Sequence, residues 1–333
     1  MISVTFRRFL KRAISFLLLI SLLSFSCKKS ETAAVVTNST TNPVIVGYLP
    51  DTGQILSYTT TKGEDSDFNF HAPSFLDNGD GTTTDNITGL MWQKTDGGEI
   101  LFDNAANYCK SLTLGGHNDW RLPVSQELFD INNFDNVNPA LNSLYFTKTL
   151  AEYWWTSDLR ADEANYVWVV NAGGGIGAHP KSETISAGGT KKFHVRAVRT
   201  LVARTIPSIH FEDNGDGTVT DNYTGLIWQK MQSSTPLSWE EALNYAMGLS
   251  LTGRTDWRVP NIKELQSLND EKLVKPSFNK NYFPNVLSGN FWSSTSQVNA
   301  TTRAWDINVD YGIVSYSDKT IRENVLCVRG GSK

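Results

Sequence analysis

The sequence predicts an α+β protein of two tandem domains, each with two helices and an irregular antiparallel sheet with long loops. The first observation is an internal repeat, since residues 75–199 and 211–329 follow one pattern. The second is that each copy has hairpin turns first, capped helices next and strand-like segments last. Helices and strands that are segregated along the chain are typical of α+β domains.

Three motifs define the repeat. Asp-Asn-Gly-Asp-Gly-Thr begins at positions 77 and 213, Thr-Gly-Leu-X-Trp-Gln-Lys at 88 and 224, and Asp-Trp-Arg-X-Pro at 119 and 256. The offset between the copies is 136 residues at the first Trp (228 − 92) and 137 at the second (257 − 120). Solenoid repeats reach only about 50 residues, so a unit of this length is a domain.

Each copy opens with a predicted β-hairpin and continues with two helices. Asn-Gly and Asp-Gly pairs in succession favour a tight reversal. Ser238 with Glu241 forms a capping box at the first helix of the second copy, and Asn261 with Glu264 forms one at the next. The first copy has Val124 in place of Asn261, so we expect this helix start to be weaker by about 1 kcal/mol.

The last part of each copy is predicted to be β-structure. In residues 305–309 every second residue is apolar, 310–312 predicts a turn, and 313–316 returns as a strand. The first copy is about seven residues longer here, and we place the extra residues around the glycine-rich runs 172–177 and 187–190. Loops of variable length often carry function, so Gly173, Gly174 and Gly175 are candidates for a ligand surface.

The chain before the repeat predicts export. Residues 1–26 have a positively charged start and an apolar run too short for a confident membrane span, which is typical of a signal peptide. Cys27 follows this run and is the predicted site of lipid attachment, the alternative being a plain signal peptide with an incidental cysteine. Residues 27–46 then form a lipidated, flexible tether, 47–200 the first domain and 201–333 the second.

The charge and the cysteines limit the partners. The net charge of −4 includes +4 in the signal peptide, which leaves −8 in the mature chain (−4 − 4). Nucleic acid and sulfated polysaccharides need a basic surface, so we expect neither as a partner. Cys109 and Cys327 lie in different copies, where each is matched by Ala. They either form a disulfide between the copies or are two buried thiols.

Other candidate site residues each have a structural and a functional interpretation. Arg121 with Glu127, and Arg258 with Glu264, are interpreted as structural ion pairs rather than acid–base machinery, because a guanidinium is a poor base. Three tryptophans could stack on sugar rings, but we favour a role in the core. Four aspartates could be weak calcium ligands, but we favour a role in the turns. The tryptophans concerned are Trp154, Trp155 and Trp292, and the acids are Asp77, Asp80, Asp213 and Asp216.

The three motifs, an aromatic-Trp-Ser/Thr-Ser element and a closing Val-Arg together resemble the Lcl C-terminal domain family of bacterial proteins, a family of unknown function. The resemblance covers nearly all of residues 47–330, which contain two copies of the domain. It implies a fold distantly similar to the formylglycine-generating enzyme and to C-type lectins, and hence two C-type-lectin-like domains. That enzyme needs reactive cysteines to hold copper, and neither copy has two cysteines.

We therefore expect a non-catalytic, lipid-anchored binding protein of the bacterial cell envelope, at the outer membrane or the cell surface. Its ligand is expected to be a protein or a neutral glycan, and its partners the membrane through the lipid but no nucleic acid. No cofactor and no strong metal site are predicted. The alternatives are a formylglycine-generating-type oxidase or other enzyme, and a structural component of the envelope.

Overall fold

The computed structural model describes residues 49–147, 150–183, 193–203 and 207–330. The predicted signal peptide, Cys27 and the tether lie outside these residues. The described chain is rich in β-structure and has four short α-helices. No helix among the described residues is long and apolar enough to cross a membrane.

Each copy has two helices, as predicted. The two copies contain equivalent elements in the same order, except for one short extra strand, Phe193–His194, in the first copy. In the first copy these are β1 (Phe75–Asp77), β2 (Thr82–Asp85), β3 (Leu90–Gln93), α1 (Phe102–Ser111), α2 (Ser125–Asp130), β4 (Tyr153–Leu159), β5 (Tyr166–Asn171), β6 (Ile176–Pro180), β7 (Phe193–His194) and β8 (Val198–Thr200). In the second copy they are β9 (Phe211–Asp213), β10 (Thr218–Asp221), β11 (Ile227–Gln229), α3 (Trp239–Met247), α4 (Ile262–Ser267), β12 (Asn290–Ser296), β13 (Arg303–Asn308), β14 (Ile313–Asp318) and β15 (Val328–Arg329).

The local signals explain where the helices begin. Glu241 accepts a hydrogen bond from the Ser238 amide at the start of α3. At α4, Asn261 accepts from the amides of Lys263 and Glu264, while Glu264 accepts from the Asn261 amide. Val124 has no polar side-chain atom to offer α2, although its backbone angles match those of Asn261. The closing strand of the second copy is short and spans Val328–Arg329.

Each copy has a small sheet of its own, and the two copies share a larger one. The small sheets have the orders β1-β2-β3-β8 and β15-β11-β10-β9. The shared sheet has seven strands in the order β12-β13-β14-β6-β5-β4-β7. It is joined where β14 and β6 pair antiparallel, with Val314 opposite Ile176.

The join relates the copies by an approximate two-fold axis. β6 and β14 are equivalent strands, because Ile176 pairs with Val170 in the first copy as Val314 pairs with Ile307 in the second. When a surface meets its own equivalent in antiparallel register, the interface is isologous, as in a symmetric dimer. The helices α2 and α4, which are also equivalent, contact each other. Equivalent positions can therefore be compared across the axis.

The tryptophans lie in the core. All ten are at most 5% exposed, so Trp154, Trp155 and Trp292 do not form a ligand surface and the stacking role considered for them is wrong. The Trp155 indole donates to the carbonyl of Ile100 at 2.8 Å, and that of Trp292 donates to Leu237 at 2.9 Å. Buried indoles usually find such a partner for the N–H group; among the described residues, those of Trp92, Trp168 and Trp228 have none.

Residues 49–71, here called the strap, contact both copies. The Gln54 side chain exchanges two hydrogen bonds of 3.1 Å with the Ser296 backbone of the second copy. In the other direction, Phe134 of the first copy donates its amide to the Thr52 carbonyl at 2.8 Å. The sequence analysis assigns this segment to the first domain, whereas its contacts in the structure are divided between the copies.

Candidate functional site

A polar groove of about 550 Å³ lies beside the join of the two copies. It is called the amide groove here, and the described residues that line it are 134, 136–138, 152–153, 171–173, 175, 297–299 and 314–316 together with Trp305. Both copies contribute to it, so neither copy alone would form it. Its volume is within the range of small-ligand sites, roughly 300–1,000 Å³.

The glycine-rich turn predicted as a ligand surface forms one wall of this groove. Asn171 accepts the Gly173 amide through its side-chain oxygen at 2.6 Å. Gly174 has a φ of 106°, and a Cβ placed there would lie 3.1 Å from the Phe134 ring and 3.3 Å from the Trp305 ring. Glycine is required at this position by its backbone conformation and by the close approach of these rings.

Of the two places predicted for the extra residues of the first copy, the run 172–177 is wrong. The turn between Asn171 and Ile176 has one residue fewer than its equivalent between Asn308 and Val314, because β6 and β14 pair at matching positions. The extra residues of the first copy therefore follow β6. The second predicted glycine-rich run, 187–190, lies outside the described residues.

Aromatic rings form the floor and one rim of the groove. The Trp305 ring is nearly buried, and Tyr316 packs against it edge-on at 5.6 Å between ring centroids. Tyr316 is 42% exposed, and the Arg303 guanidinium lies 5.3 Å from the centroid of its ring. Tyr153 lines the opposite part of the groove, where burial and the nearby Glu152 and Glu183 charges raise its pKa.

Carboxamides supply most of the polar lining. Asn136, Asn138 and Asn299 are exposed side chains at the groove. Gln297 is 8% exposed, and its buried side-chain oxygen has no hydrogen-bond partner in the described structure. Glu152 is the one charged residue of the lining. The groove therefore offers many neutral donors and acceptors and little charge.

The surface related to the groove by the two-fold axis is charged, and it is called the closed surface here because two cations lie over its Tyr311 ring. Arg160 is the equivalent of Gln297, and its guanidinium lies 4.8 Å from the centroid of the Tyr311 ring. Lys275, the equivalent of Asn138, lies 5.3 Å from the same ring. Tyr311 belongs to the turn that corresponds to 171–175, where the first copy has glycine. The same fold thus carries two cations over a tyrosine on one side and the amide groove on the other.

A second cavity, of about 460 Å³, lies between the ends of α2 and α4 and the chain that links the copies. Its lining is mainly apolar and includes Leu49, Leu90 and Val202. Glu271 at its edge accepts a hydrogen bond from the Ser125 hydroxyl. Since these polar groups are engaged in holding the copies together, the amide groove is the stronger candidate for a ligand.

The two predicted Arg–Glu pairs are formed, with very different exposure. Arg121 and Glu127 make two hydrogen bonds of 2.7 and 2.6 Å, and Arg258 and Glu264 make two of 2.6 Å. The Arg121 side chain is 40% exposed, but that of Arg258 is only 4% exposed. Aromatic residues 68 and 70 of the strap cover Arg258, with ring centroids 5.4 and 5.1 Å from its guanidinium.

The four weak calcium candidates bond within their own hairpins. Asp77 pairs with Lys94, and Asp213 pairs with Lys230. Asp80 and Asp216 each accept bonds from the backbone and hydroxyl of the Thr two residues later. Within the described ranges, no group of three or more His, Cys, Asp or Glu residues is placed to hold a metal ion.

Cys109 and Cys327 are both free and buried. They belong to separate core clusters, Cys109 with Trp120 and Cys327 with Trp257. The disulfide considered between the copies is therefore not formed in this structure. Burial raises the pKa of the Cys109 thiol to about 12, and raises that of Cys327 as well, so neither thiol is activated.

The sequence predicts the glycine turn as part of a ligand surface, but it does not predict Trp305, Tyr316 or the asparagines there. The signal that could have found them is the difference between copies, since Asn138 corresponds to Lys275 and Gln297 to Arg160. It also missed Asp306, which the alternating pattern places on the exposed side of a strand but which is fully buried. Its equivalent in the first copy is Val169.

Comparison with family models gives two matches, both to the Lcl C-terminal domain, at residues 81–199 and 217–329. No curated protein matches the chain. The matched ranges contain β2 and β3, β10 and β11, the four helices and the shared sheet, and together they cover more than half of the chain. The chain therefore belongs to the Lcl C-terminal domain family and carries two copies of that domain in tandem.

Proposed function

We propose that the protein is a lipid-anchored, non-catalytic binding protein of the bacterial cell envelope, whose paired lectin-like domains bind a neutral glycan in the amide groove. The observation that carries this proposal is the groove itself. Asparagine and glutamine side chains surround an exposed Tyr316 and the edge of Trp305 at the join of the copies.

The chemistry of the groove suits sugars. Each carboxamide has a donor and an acceptor, as a sugar hydroxyl does, so the two can exchange hydrogen bonds. An aromatic face supplies apolar contact for the C–H face of a sugar ring. Among the described residues the groove lining has one acid, Glu152, and no cation, while the Arg303 guanidinium lies 5.3 Å from the centroid of the Tyr316 ring. One charge of each sign favours a neutral ligand over a sulfated or phosphorylated one.

Two further features support the class of protein. The predicted signal peptide, Cys27 and tether are the pattern of an exported lipoprotein held away from a membrane. The buried, protonated thiols of Cys109 and Cys327 argue against the oxidase alternative, because a thiolate is the form of cysteine that binds metal. The lectin-like fold is supported by the two helices and irregular antiparallel sheets of each copy together with the family resemblance.

The test is a glycan and protein array probed with residues 28–333. We expect selective binding of neutral glycans, and a loss of at least about tenfold in affinity in Tyr316→Ala, which is the loss of about 1.4 kcal/mol of contact with the ring. Tyr311→Ala is the matched control, because it removes the same side chain from the closed surface across the axis. It should bind like the wild type.

Three outcomes would contradict the proposal. Equal losses in both tyrosine variants would place the ligand elsewhere, and selective binding of a protein would replace the glycan as ligand. The absence of any selective ligand would favour a structural component of the envelope.

A further inference from the structure

One tryptophan occurs at equivalent positions in both copies, but the residues that surround it are chemically different. In the first copy Trp155 is surrounded by apolar and aromatic groups. Its ring stacks on Phe193 at 4.4 Å between centroids. Phe193 in turn stacks on Tyr153 at 4.9 Å and meets His179 at 5.2 Å.

The second copy has oxygen-bearing residues at the equivalent positions around Trp292. Strand register makes Asp306 the equivalent of Val169, because these two residues pair with Trp292 and Trp155. Glu323 is the equivalent of Phe193, because the carbonyl of each accepts a backbone hydrogen bond from the residue whose own carbonyl accepts the tryptophan N–H.

Two further replacements complete the set. By the same register Ser317 takes the place of His179, since each pairs with an equivalent residue of the neighbouring strand. Asn290 takes the place of Tyr153 at the start of the preceding strand. Four neighbouring positions differ together, with one aliphatic and three aromatic-ring residues in the first copy and four oxygen-bearing residues in the second.

The two carboxyl groups are buried and under-satisfied. Asp306 is 0% exposed, and neither of its oxygens has a hydrogen-bond partner of normal geometry. Glu323 is 5% exposed. It accepts one bond of 3.3 Å from the Asn290 amide, while its other oxygen is buried without a partner. Burial of a carboxylate without a counter-charge destabilises the folded state by several kcal/mol. Such a pair is therefore expected to bind a cation or a proton.

We propose that Asp306 and Glu323, with the Ser317 hydroxyl, bind one hard divalent cation, Ca²⁺ or Mg²⁺. Two carboxylates balance the charge of a divalent ion, and carboxylate and hydroxyl oxygens are the ligands that these ions prefer. Mg²⁺ is commonly held by one or two carboxylates and completes its shell with water. Ser317 and Asn290 are partly exposed, so water and the ion can reach the site from that side.

The electrostatics are consistent with this site. Burial raises the pKa of Asp306 to about 6. Burial and the Asp306 charge raise the pKa of Glu323 to about 7. The Ser317 hydroxyl, which is near both carboxyl groups, lowers the pKa of each. A bound cation would connect β13, β14 and the segment before β15, so it would raise the free energy of unfolding of the second copy.

The decisive experiment is calorimetric titration of residues 28–333, stripped with EDTA, with CaCl₂ and separately with MgCl₂. We expect one equivalent of one of these ions to bind and the melting temperature to rise with its concentration. The matched control is the double variant Asp306→Val with Glu323→Phe. It reproduces the pair found in the first copy and should fold without binding the ion.

The outcomes separate the cation from a shared proton. If the wild type binds neither ion at millimolar concentration, and its melting temperature is the same with EDTA and with metal, the two acids share a proton and the proposal is overturned. Metal binding that survives in the double variant would place the ion elsewhere and would also overturn it. Because no glycan enters these measurements, their result is independent of the function of the amide groove.

Discussion

At the scale of single residues, the two copies show how burial changes the contribution of an ion pair to stability. Arg121–Glu127 and Arg258–Glu264 have nearly the same geometry, but the strap covers only the second pair. Exposed pairs contribute about 0–1 kcal/mol, because water screens them. Removal of one partner from a buried pair costs about 3–5 kcal/mol, because the other charge is left without compensation.

We therefore predict that Glu264→Gln lowers the free energy of unfolding by about 3 kcal/mol or more. Glu127→Gln, the matched change in the first copy, should lower it by less than about 1 kcal/mol. Urea unfolding followed by tryptophan fluorescence measures both. Equal losses would show that the strap does not shield Arg258 in solution.

At the scale of elements, the helix starts show how much a single cap matters. Asn261 satisfies two amides of α4, whereas Val124 can satisfy none at α2 through its side chain. The two residues have almost the same backbone angles, φ −69° and ψ 168° for Asn261 and φ −74° and ψ 164° for Val124. An asparagine at position 124 would therefore fit without strain.

We predict that Val124→Asn raises the free energy of unfolding by about 1 kcal/mol, because it supplies the missing cap. Val124 is 37% exposed, so little apolar burial is lost. The converse change, Asn261→Val, should be destabilising, and urea unfolding of both variants checks the pair. A neutral or destabilising Val124→Asn would mean that other contacts already satisfy the first turn of α2.

The stability of the strap should depend on pH. Burial raises the pKa of Asp65 to about 7, although the Thr295 and Thr52 hydroxyls donate to it and oppose the effect, while the charges of Asp51 and Glu264 add to it. The unfolded value is about 3.9. The folded state therefore binds more protons between pH 4 and 7, and its stability falls as the pH rises through this window.

We predict that Asp65→Asn, which cannot ionise, flattens the decrease in the free energy of unfolding between pH 4 and 7. The difference between wild type and variant should change by as much as about 4 kcal/mol across this window. Urea unfolding at several pH values measures it. A constant difference between the two proteins would show that Asp65 titrates normally.

Features that depend on interactions between residues close in sequence could be predicted, whereas features that depend on distant residues could not. The hairpins and the capping boxes at Ser238 and Asn261 were predictable, since turn residues and caps act within a few positions. The pairing of β6 with β14, and the path of the strap over the second copy, depend on contacts between residues far apart in sequence. The alternating pattern likewise could not show that Asp306 faces a covered side of its sheet. The glycine turn was recognised, but the neighbours that make it a groove come from the other copy.

At the scale of the whole molecule, the two copies form one structural unit. The shared sheet crosses from one copy to the other, the strap contacts both, and Lys263 of α4 donates to the Asp51 and Asp130 carbonyls at 2.9 and 2.8 Å. We predict a single cooperative unfolding transition, with equal calorimetric and van't Hoff enthalpies, in scanning calorimetry of residues 28–333. Two resolved transitions would show that the copies unfold independently.

The most direct test of the account is the structure of the protein in complex with a neutral oligosaccharide selected on the array. The account predicts a sugar ring against Tyr316 and Trp305, with its hydroxyls bonded to the asparagines of residues 136–138 and to Gln297. A sugar bound at another surface, with the groove filled only by water, would contradict it.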